Sequence, residues 1–122
     1  MINNKRKKSR VKVLVVASFK FYNEDGELFN QPLGIILDIS LGGMLIETDD
    51  IVKANYVKIV FVNYEQKLMS IVGSIVHSKK SESGKAKTGI CFHGADSENI
   101  KIATNLIRTN YYGKKKSSSK QS

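Results

Sequence analysis

The sequence predicts a small, mainly β domain that carries one helix near its C-terminus. Short apolar runs are separated by polar turn segments at short intervals, a pattern typical of a β-sandwich or a small β-barrel. Apolar residues recur at helical spacing only after residue 95. A chain of 122 residues is long enough for one domain with a single core.

Six strands are predicted. The first, residues 11–22, alternates apolar and polar positions and is rich in β-branched and aromatic side chains. A turn with the sequence NEDG follows it. The segments 34–40 and 43–48 are apolar runs too short for helices, on either side of a glycine-containing loop. The remaining three strands are expected at 56–62, 68–78 and 86–92.

One amphipathic helix is predicted after the last strand. Asp96 or Ser97 can cap it, and Gly113 follows as a stop signal. Its apolar residues are Ile100, Ala103, Leu106, Ile107 and Tyr111. The sequence therefore divides into a flexible basic arm, a domain of strands and one helix, and a disordered basic tail, over residues 1–12, 13–113 and 114–122.

The net charge of +9 is concentrated at the two ends of the chain. Residues 1–12 carry six Lys or Arg and no acid, and residues 114–122 carry four Lys and no acid. The segment between them has ten basic and eleven acidic residues, a net charge of −1. This distribution does not favour a basic face that tracks nucleic acid, although basic arms can still bind phosphates.

The sequence favours a cytoplasmic protein that does not insert into a membrane. Its single cysteine, Cys91, excludes an internal disulfide and fits a reducing compartment. No apolar stretch approaches the ~20 residues that cross a bilayer. The basic N-terminus is not followed by the apolar segment and cleavage site of a secretory signal.

No catalytic or metal-binding constellation is evident. Cys91 and His93 would share a strand face and could touch a metal, but two ligands do not make a zinc site. The simpler interpretation is a small core cysteine and a histidine at the strand end. Asp49 and Asp50 are explained by solvation in a polar turn. Phosphate-binding loops and nucleophile-elbow motifs are missing, and we expect neither an enzyme nor a cofactor.

Two short motifs are chemically complementary. Arg6 and Arg10 form an R-x-x-x-R pair ahead of the first strand, and an arginine fork can grip a phosphate or the O6/N7 edge of guanine. Asp38 and Ser40 lie within the sequence DISLGG, residues 38–43, and a carboxylate accepts from the N1 and N2 donors of guanine. Each motif alone also suits a solvated arm or a plain turn.

Together with D-x-S-x-x-G, the R-x-x-x-R motif makes the chain resemble the PilZ domains, bacterial receptors for cyclic di-GMP. The resemblance covers about residues 5–112, including the IVGSIVH segment, the late TGICF strand and the terminal helix. It implies a six-stranded antiparallel β-barrel with the ligand on its outer surface, between the N-terminal arm and the D-x-S-x-x-G loop.

The resemblance assigns a role to each residue that matches the motifs. Arg6 and Arg10 would hold phosphate and guanine edges, Asp38 and Ser40 would bind guanine, and Gly43 would permit a close turn.

Two further assignments follow from the same resemblance. His77 lies four residues after Gly73, where some members carry an aromatic that stacks on guanine; an exposed strand residue is the equal alternative. Lys5 would add a cation that favours two stacked ligand molecules over one.

The expected function is a stand-alone sensor. The arm, residues 1–12, would be mobile when free, because six like charges without an apolar anchor resist packing, and ligand would order it. The signal would pass to an unidentified downstream protein of motility, exopolysaccharide or virulence machinery, as family resemblance implies. The alternative is a similar barrel that does not bind cyclic di-GMP and uses its basic ends to contact nucleic acid or an acidic protein.

Overall fold

The computed structural model describes residues 10–63 and 65–93, and this part of the chain is all β. Its strands are antiparallel: β1 (Val11–Tyr22), β2 (Leu28–Asn30), β3 (Leu33–Ile39), β4 (Gly43–Thr48), β5 (Tyr56–Val62), β6 (Leu68–Lys80) and β7 (Ala86–Phe92). The six predicted strands are confirmed, and β2 was not predicted. The predicted helix lies outside the described residues. The described ranges contain no helix that could cross a bilayer.

The sheet closes on itself as a six-stranded barrel. Its strands follow the order β1-β3-β4-β7-β6-β5, and β5 pairs again with β1. Ser18 of β1 pairs with both β3 and β5, and Phe21 pairs with both β2 and β5. The short β2 therefore lies on the same side of β1 as β3 and continues its line. The strand order places β7 between β4 and β6.

The core fills the barrel with the inward-facing residues of every long strand. Alternate residues of β1 are buried or packed against the core, as the sequence pattern predicts. The rings of Phe19 and Phe21 stack with centroids 6.2 Å apart. The buried cluster consists of Val13, Ala17, Phe19, Phe21, Ile36, Ile39, Met44, Ile46, Val57, Ile59, Phe61, Ile71, Ile90 and Phe92.

β-Bulges interrupt the regular pairing in three of the barrel strands. The irregularity lies between residues 12 and 15 in β1, between 36 and 38 in β3 and between 75 and 77 in β6. Within the β1 bulge, Leu14 has a φ of 51°, which few bulky residues adopt. In β3 and β6 the bulge shifts the alternation of faces by one residue, whereas β1 keeps its alternation on both sides of the bulge. Each of these bulges lies within four residues of a residue that the sequence assigned to a ligand.

Candidate ligand-binding cleft

A cleft of about 360 Å³ lies on the outer surface of β4, β6 and β7, beside the β3–β4 turn. Four residues predicted from the sequence line it, namely Arg10, Ser40, Gly43 and His77. The rest of its lining comes from Gly42, Val76, Gly89, Ile90 and Cys91. The barrel therefore brings together residues that lie far apart in the chain.

Arg10, which lines this cleft, forms an ion pair with Asp38, which is not one of the lining residues. The antiparallel register places Asp38 opposite Lys12, two residues from Arg10. Arg10 Nη1 donates to Asp38 Oδ1 over 2.7 Å, and the two side chains are 58% and 18% exposed. A charge-assisted bond of this length brings the two motifs together in one place.

Asp38 faces outward because of the bulge in β3. Residues two apart in a regular strand share a face, so Asp38 would point inward with Ile36, which is fully buried. Leu37 is the extra residue, since the two residues flanking it pair with neighbouring positions, 46 and 45, of β4. The next core position is then Ile39, and the carboxylate of Asp38 lies on the outer face.

His77 reaches the outer face through a second bulge of the same kind. Ile75 pairs with Ile90 and packs against the core, whereas His77 pairs with Gly89. Val76 is therefore the extra residue, and both it and His77 are exposed. Without the bulge, the imidazole would share the inner face of Ile75.

Ser40 organises the turn that forms one wall of the cleft. It is buried, and its amide donates to the carbonyl of Gly43 over 2.8 Å. Its hydroxyl oxygen accepts hydrogen bonds from the amides of Gly42 and Gly43, each over 3.2 Å. The same hydroxyl donates to the carbonyl of Gly43 over 3.3 Å. These three bonds use the full capacity of a hydroxyl. The predicted contact between Ser40 and guanine stays a prediction.

Gly43 lies where no side chain fits. A Cβ at this position would be 2.1 Å from the carbonyl oxygen of Ile90, and Gly43 pairs with Cys91 in the β4–β7 ladder. The glycine thus allows two strands to approach beside the cleft, which is a different reason from the close turn that the sequence suggested.

Cys91 is not a core residue, and that interpretation was wrong. Ile90 and Phe92 occupy the inner face of β7, so Cys91 faces outward and is exposed. His93 follows the strand end as predicted; its Nε2 lies 2.9 Å from Ser74 Oγ, and its ring packs at 78° to the ring of Tyr56 in an edge-to-face arrangement. Within residues 10–63 and 65–93, no group of His, Cys, Asp or Glu could hold a metal ion.

Arg6 and Lys5 lie outside the described residues, so their assignments stay predictions. The family model of the PilZ domain matches residues 4–108 of this sequence, a range that includes both Lys5 and Arg6. The chain belongs to the PilZ family. This confirms the resemblance drawn from the two motifs.

Solved PilZ structures share the fold at low sequence identity. The PilZ domain of YcgR from Escherichia coli, solved with cyclic di-GMP, matches with a TM-score of 0.69 and 10% identity, over 95% of this chain and 98% of that one. The inhibitor of motility MotI/DgrA from Bacillus subtilis matches with a TM-score of 0.63 and 12% identity, over 88% of this chain and 52% of that one.

A third PilZ structure is the domain of CeSA from a cellulose-synthesising bacterium. It matches with a TM-score of 0.58 and 15% identity, over 81% of this chain and 94% of that one. No curated protein sequence gives a significant match. At these identities, the similarity shows that the chain shares the fold of these structures.

Five residues of the cleft lining were not predicted as site residues, and two of them determine the position of His77. Gly89 is the cross-strand partner of His77, and Val76 is the bulge residue that turns the imidazole outward. The glycine of TGICF was visible as part of a strand motif, but its pairing partner was not. Only the register of β6 against β7 identifies that partner.

Proposed function

We propose that this PilZ protein is a receptor for cyclic di-GMP, which binds at the cleft. The observation that carries the proposal is the Arg10–Asp38 pair of 2.7 Å, which joins a donor for phosphate that lines the cleft to an acceptor for guanine. Family membership supports it, as does a structural neighbour solved with this ligand. The protein acts as a binding module and not as an enzyme.

Arg10 and Asp38 divide the recognition of the ligand. Among the described residues, the guanidinium of Arg10 bonds through Nη1, so its other N–H donors can take a phosphate or the O6/N7 edge of guanine. The carboxylate of Asp38 accepts from the N1 and N2 donors of the same base. The ligand can therefore bind Arg10 and Asp38 without first breaking the ion pair between them.

The N-terminal arm completes the site and transmits the signal. Arg6 and Lys5 supply further cations to the two phosphates, and closure of the arm forms or hides the surface that a partner protein reads. Arg10 is exposed and directly precedes β1, so it is well placed to link an ordered arm to the barrel.

Calorimetric titration with cyclic di-GMP, GTP and cyclic di-AMP tests the proposal. We expect cyclic di-GMP to bind most tightly, because cyclic di-AMP offers no guanine to Arg10 and Asp38, and GTP offers its guanine without the two bridging phosphates of the cyclic dinucleotide. Asp38→Ala should weaken cyclic di-GMP by roughly ten- to a hundredfold. Equal affinities for all three ligands, falling steeply with salt, would instead identify a protein that binds polyanions through its basic ends.

Hydrogen exchange of residues 1–12 tests the switch separately. We expect their amides to exchange more slowly after cyclic di-GMP is added, while the amides of the barrel core change little. Equal protection of the arm with and without ligand, in a protein that binds, would contradict ligand-induced ordering and leave the receptor role intact.

A further inference from the structure

The imidazole of His77 rests on Gly89, its cross-strand neighbour in β7. A Cβ built on Gly89 would lie 2.8 Å from Nε2 of His77, 3.1 Å from Cε1 and 3.3 Å from Cδ2. Real Cβ atoms almost never lie within 3.0 Å of such a neighbour. The ring therefore occupies the space that any side chain at position 89 would take.

The three distances also show which part of the ring meets Gly89. They differ by only 0.5 Å, from 2.8 to 3.3 Å. An approach along the ring plane past Nε2 would leave both neighbouring carbons much farther away than the nitrogen. The imidazole of His77 thus presents one flat face to the backbone of β7, and its opposite face is turned away from the barrel. His77 and Gly89 both line the cleft.

We infer that Gly89 is a positioning residue of the ligand cleft: because it lacks a side chain, the His77 imidazole lies flat on β7 and offers its outer face to a guanine base. This inference rests on the proposed function. Because the imidazole already lies against the strand, it loses little conformational entropy when a base stacks on it. Gly89 acts through His77 and has no contact with the base of its own.

The substitution Gly89→Ala should displace the imidazole of His77 without disturbing the fold of the barrel. The atoms that a new Cβ would meet belong to the far end of an exposed side chain, which can rotate into solvent. At Gly43 the obstructing atom is the backbone oxygen of Ile90, which cannot rotate away. We therefore expect Gly89→Ala to fold as the wild type does, with the ring of His77 displaced.

Calorimetry on a double-mutant cycle provides the main test. His77→Ala and Gly89→Ala should each weaken cyclic di-GMP by about five- to tenfold, the lower end of what a stacked base contributes. The variant with both substitutions should bind as His77→Ala does, because Gly89 acts only through the imidazole. His93→Ala, which removes the chain's other imidazole, serves as the matched control and should bind as the wild type does.

Imidazole NMR gives a second readout that needs no ligand. The chain has two histidines, and His93→Ala assigns their ring signals. Gly89→Ala should shift the Cδ2–H and Cε1–H signals of His77, because the ring leaves the backbone of β7, while the signals of His93 stay in place. Unmoved His77 signals would overturn the inference whatever the affinity.

The outcomes for the inference and for the proposed function are distinct. Wild-type affinity in Gly89→Ala, with binding weakened in Arg10→Ala, overturns the inference alone. A loss from Gly89→Ala that persists in the His77→Ala background also overturns it, since position 89 would then touch the ligand directly. A wild-type protein that does not bind cyclic di-GMP overturns the proposed function, and the role of Gly89 in ligand binding falls with it.

Discussion

Arg10 Nη1 and Asp38 Oδ1 lie 2.7 Å apart, although their residues are separated by 28 positions in the sequence. The pair joins the residue just before β1 to the outward-facing carboxylate of β3. Since both groups also belong to the proposed ligand site, the free protein holds its donor and acceptor against each other. Ligand binding would therefore add charge-assisted bonds to a pair that is already in place.

This relationship predicts that Arg10→Ala affects binding much more than stability. The guanidinium is 58% exposed, and exposed ion pairs contribute less than about 1 kcal/mol to the free energy of unfolding. Loss of a charge-assisted bond to the ligand should weaken cyclic di-GMP by roughly ten- to a hundredfold. Urea unfolding and calorimetry on the same variant measure the two effects.

Arg10→Lys is the matched control, because it keeps the charge and removes the planar fork. Its affinity should lie between those of the wild type and Arg10→Ala. A variant Arg10→Ala that binds as tightly as the wild type would remove Arg10 from the site.

Gly43→Ala should destabilise the barrel. The new Cβ would lie 2.1 Å from the carbonyl oxygen of Ile90, so β4 and β7 must separate where Gly43 pairs with Cys91. We expect the free energy of unfolding to fall by about 1–3 kcal/mol or more, as for other overpacked positions. Urea unfolding measures the change.

Gly89→Ala, in the adjacent β7, is the control, because the atoms nearest to the new Cβ there all belong to the side chain of His77 and none to the backbone. It should unfold at nearly the wild-type urea concentration. If both substitutions destabilised the protein equally, the distinction between a rotatable neighbour and a backbone neighbour would be wrong.

Ser40→Ala distinguishes two roles for a single hydroxyl. If the hydroxyl organises the turn, its removal leaves the amides of Gly42 and Gly43 without their acceptor, and the free energy of unfolding should fall by about 1–3 kcal/mol. Affinity should fall with it, because the turn lines the cleft. Urea unfolding and calorimetry give the two values.

A different result would support the direct contact that the sequence predicted. If Ser40→Ala kept wild-type stability but bound cyclic di-GMP weakly, its hydroxyl would contact the guanine. Ser74→Ala is the control, because the Ser74 hydroxyl bonds the exposed His93 and its loss should change stability little.

The barrel strands could be read from the sequence because each has a buried face. Alternation in β1 places Phe19 and Phe21 in the core, and the structure agrees. β2 could not be found in this way, since its three residues are all exposed and carry no periodic signal. The bulge in β3 was equally hidden: the run of apolar residues 35–37 does not reveal which one is the extra residue.

The candidate site was predictable in its charges and not in its geometry. Complementary chemistry assigned Arg10 and Asp38 to two edges of one guanine, whereas the structure joins their side chains directly in an ion pair. The sequence could not show that the hydroxyl of Ser40 is already engaged by the turn, because backbone amides leave no trace in residue type. Nor could it show that Gly89 lies under His77, which depends on the register between two strands.

An ion pair between Asp49, which follows β4, and Lys85, which precedes β7, predicts a small pH dependence of stability. Lys85 Nζ donates to Asp49 Oδ1 over 2.9 Å, and this bond lowers the pKa of Asp49 and raises the pKa of Lys85. A lowered carboxyl pKa stabilises the folded state at neutral pH, and the contribution is lost as pH falls through the folded-state pKa, below about pH 4. The raised lysine pKa gives a contribution that is lost only above about pH 10.

Asp49→Asn should therefore lose less stability than the wild type between pH 5 and pH 3 (roughly the range in which carboxylates titrate). At pH 7 the difference between them should be small, since both side chains are exposed, and it should shrink further in about 1 M salt. Asp50→Asn removes a neighbouring carboxylate without touching the Lys85 bond and is the matched control. Urea unfolding across this pH range gives the slopes; equal acid slopes for the wild type and Asp49→Asn would show that the pair does not persist in solution.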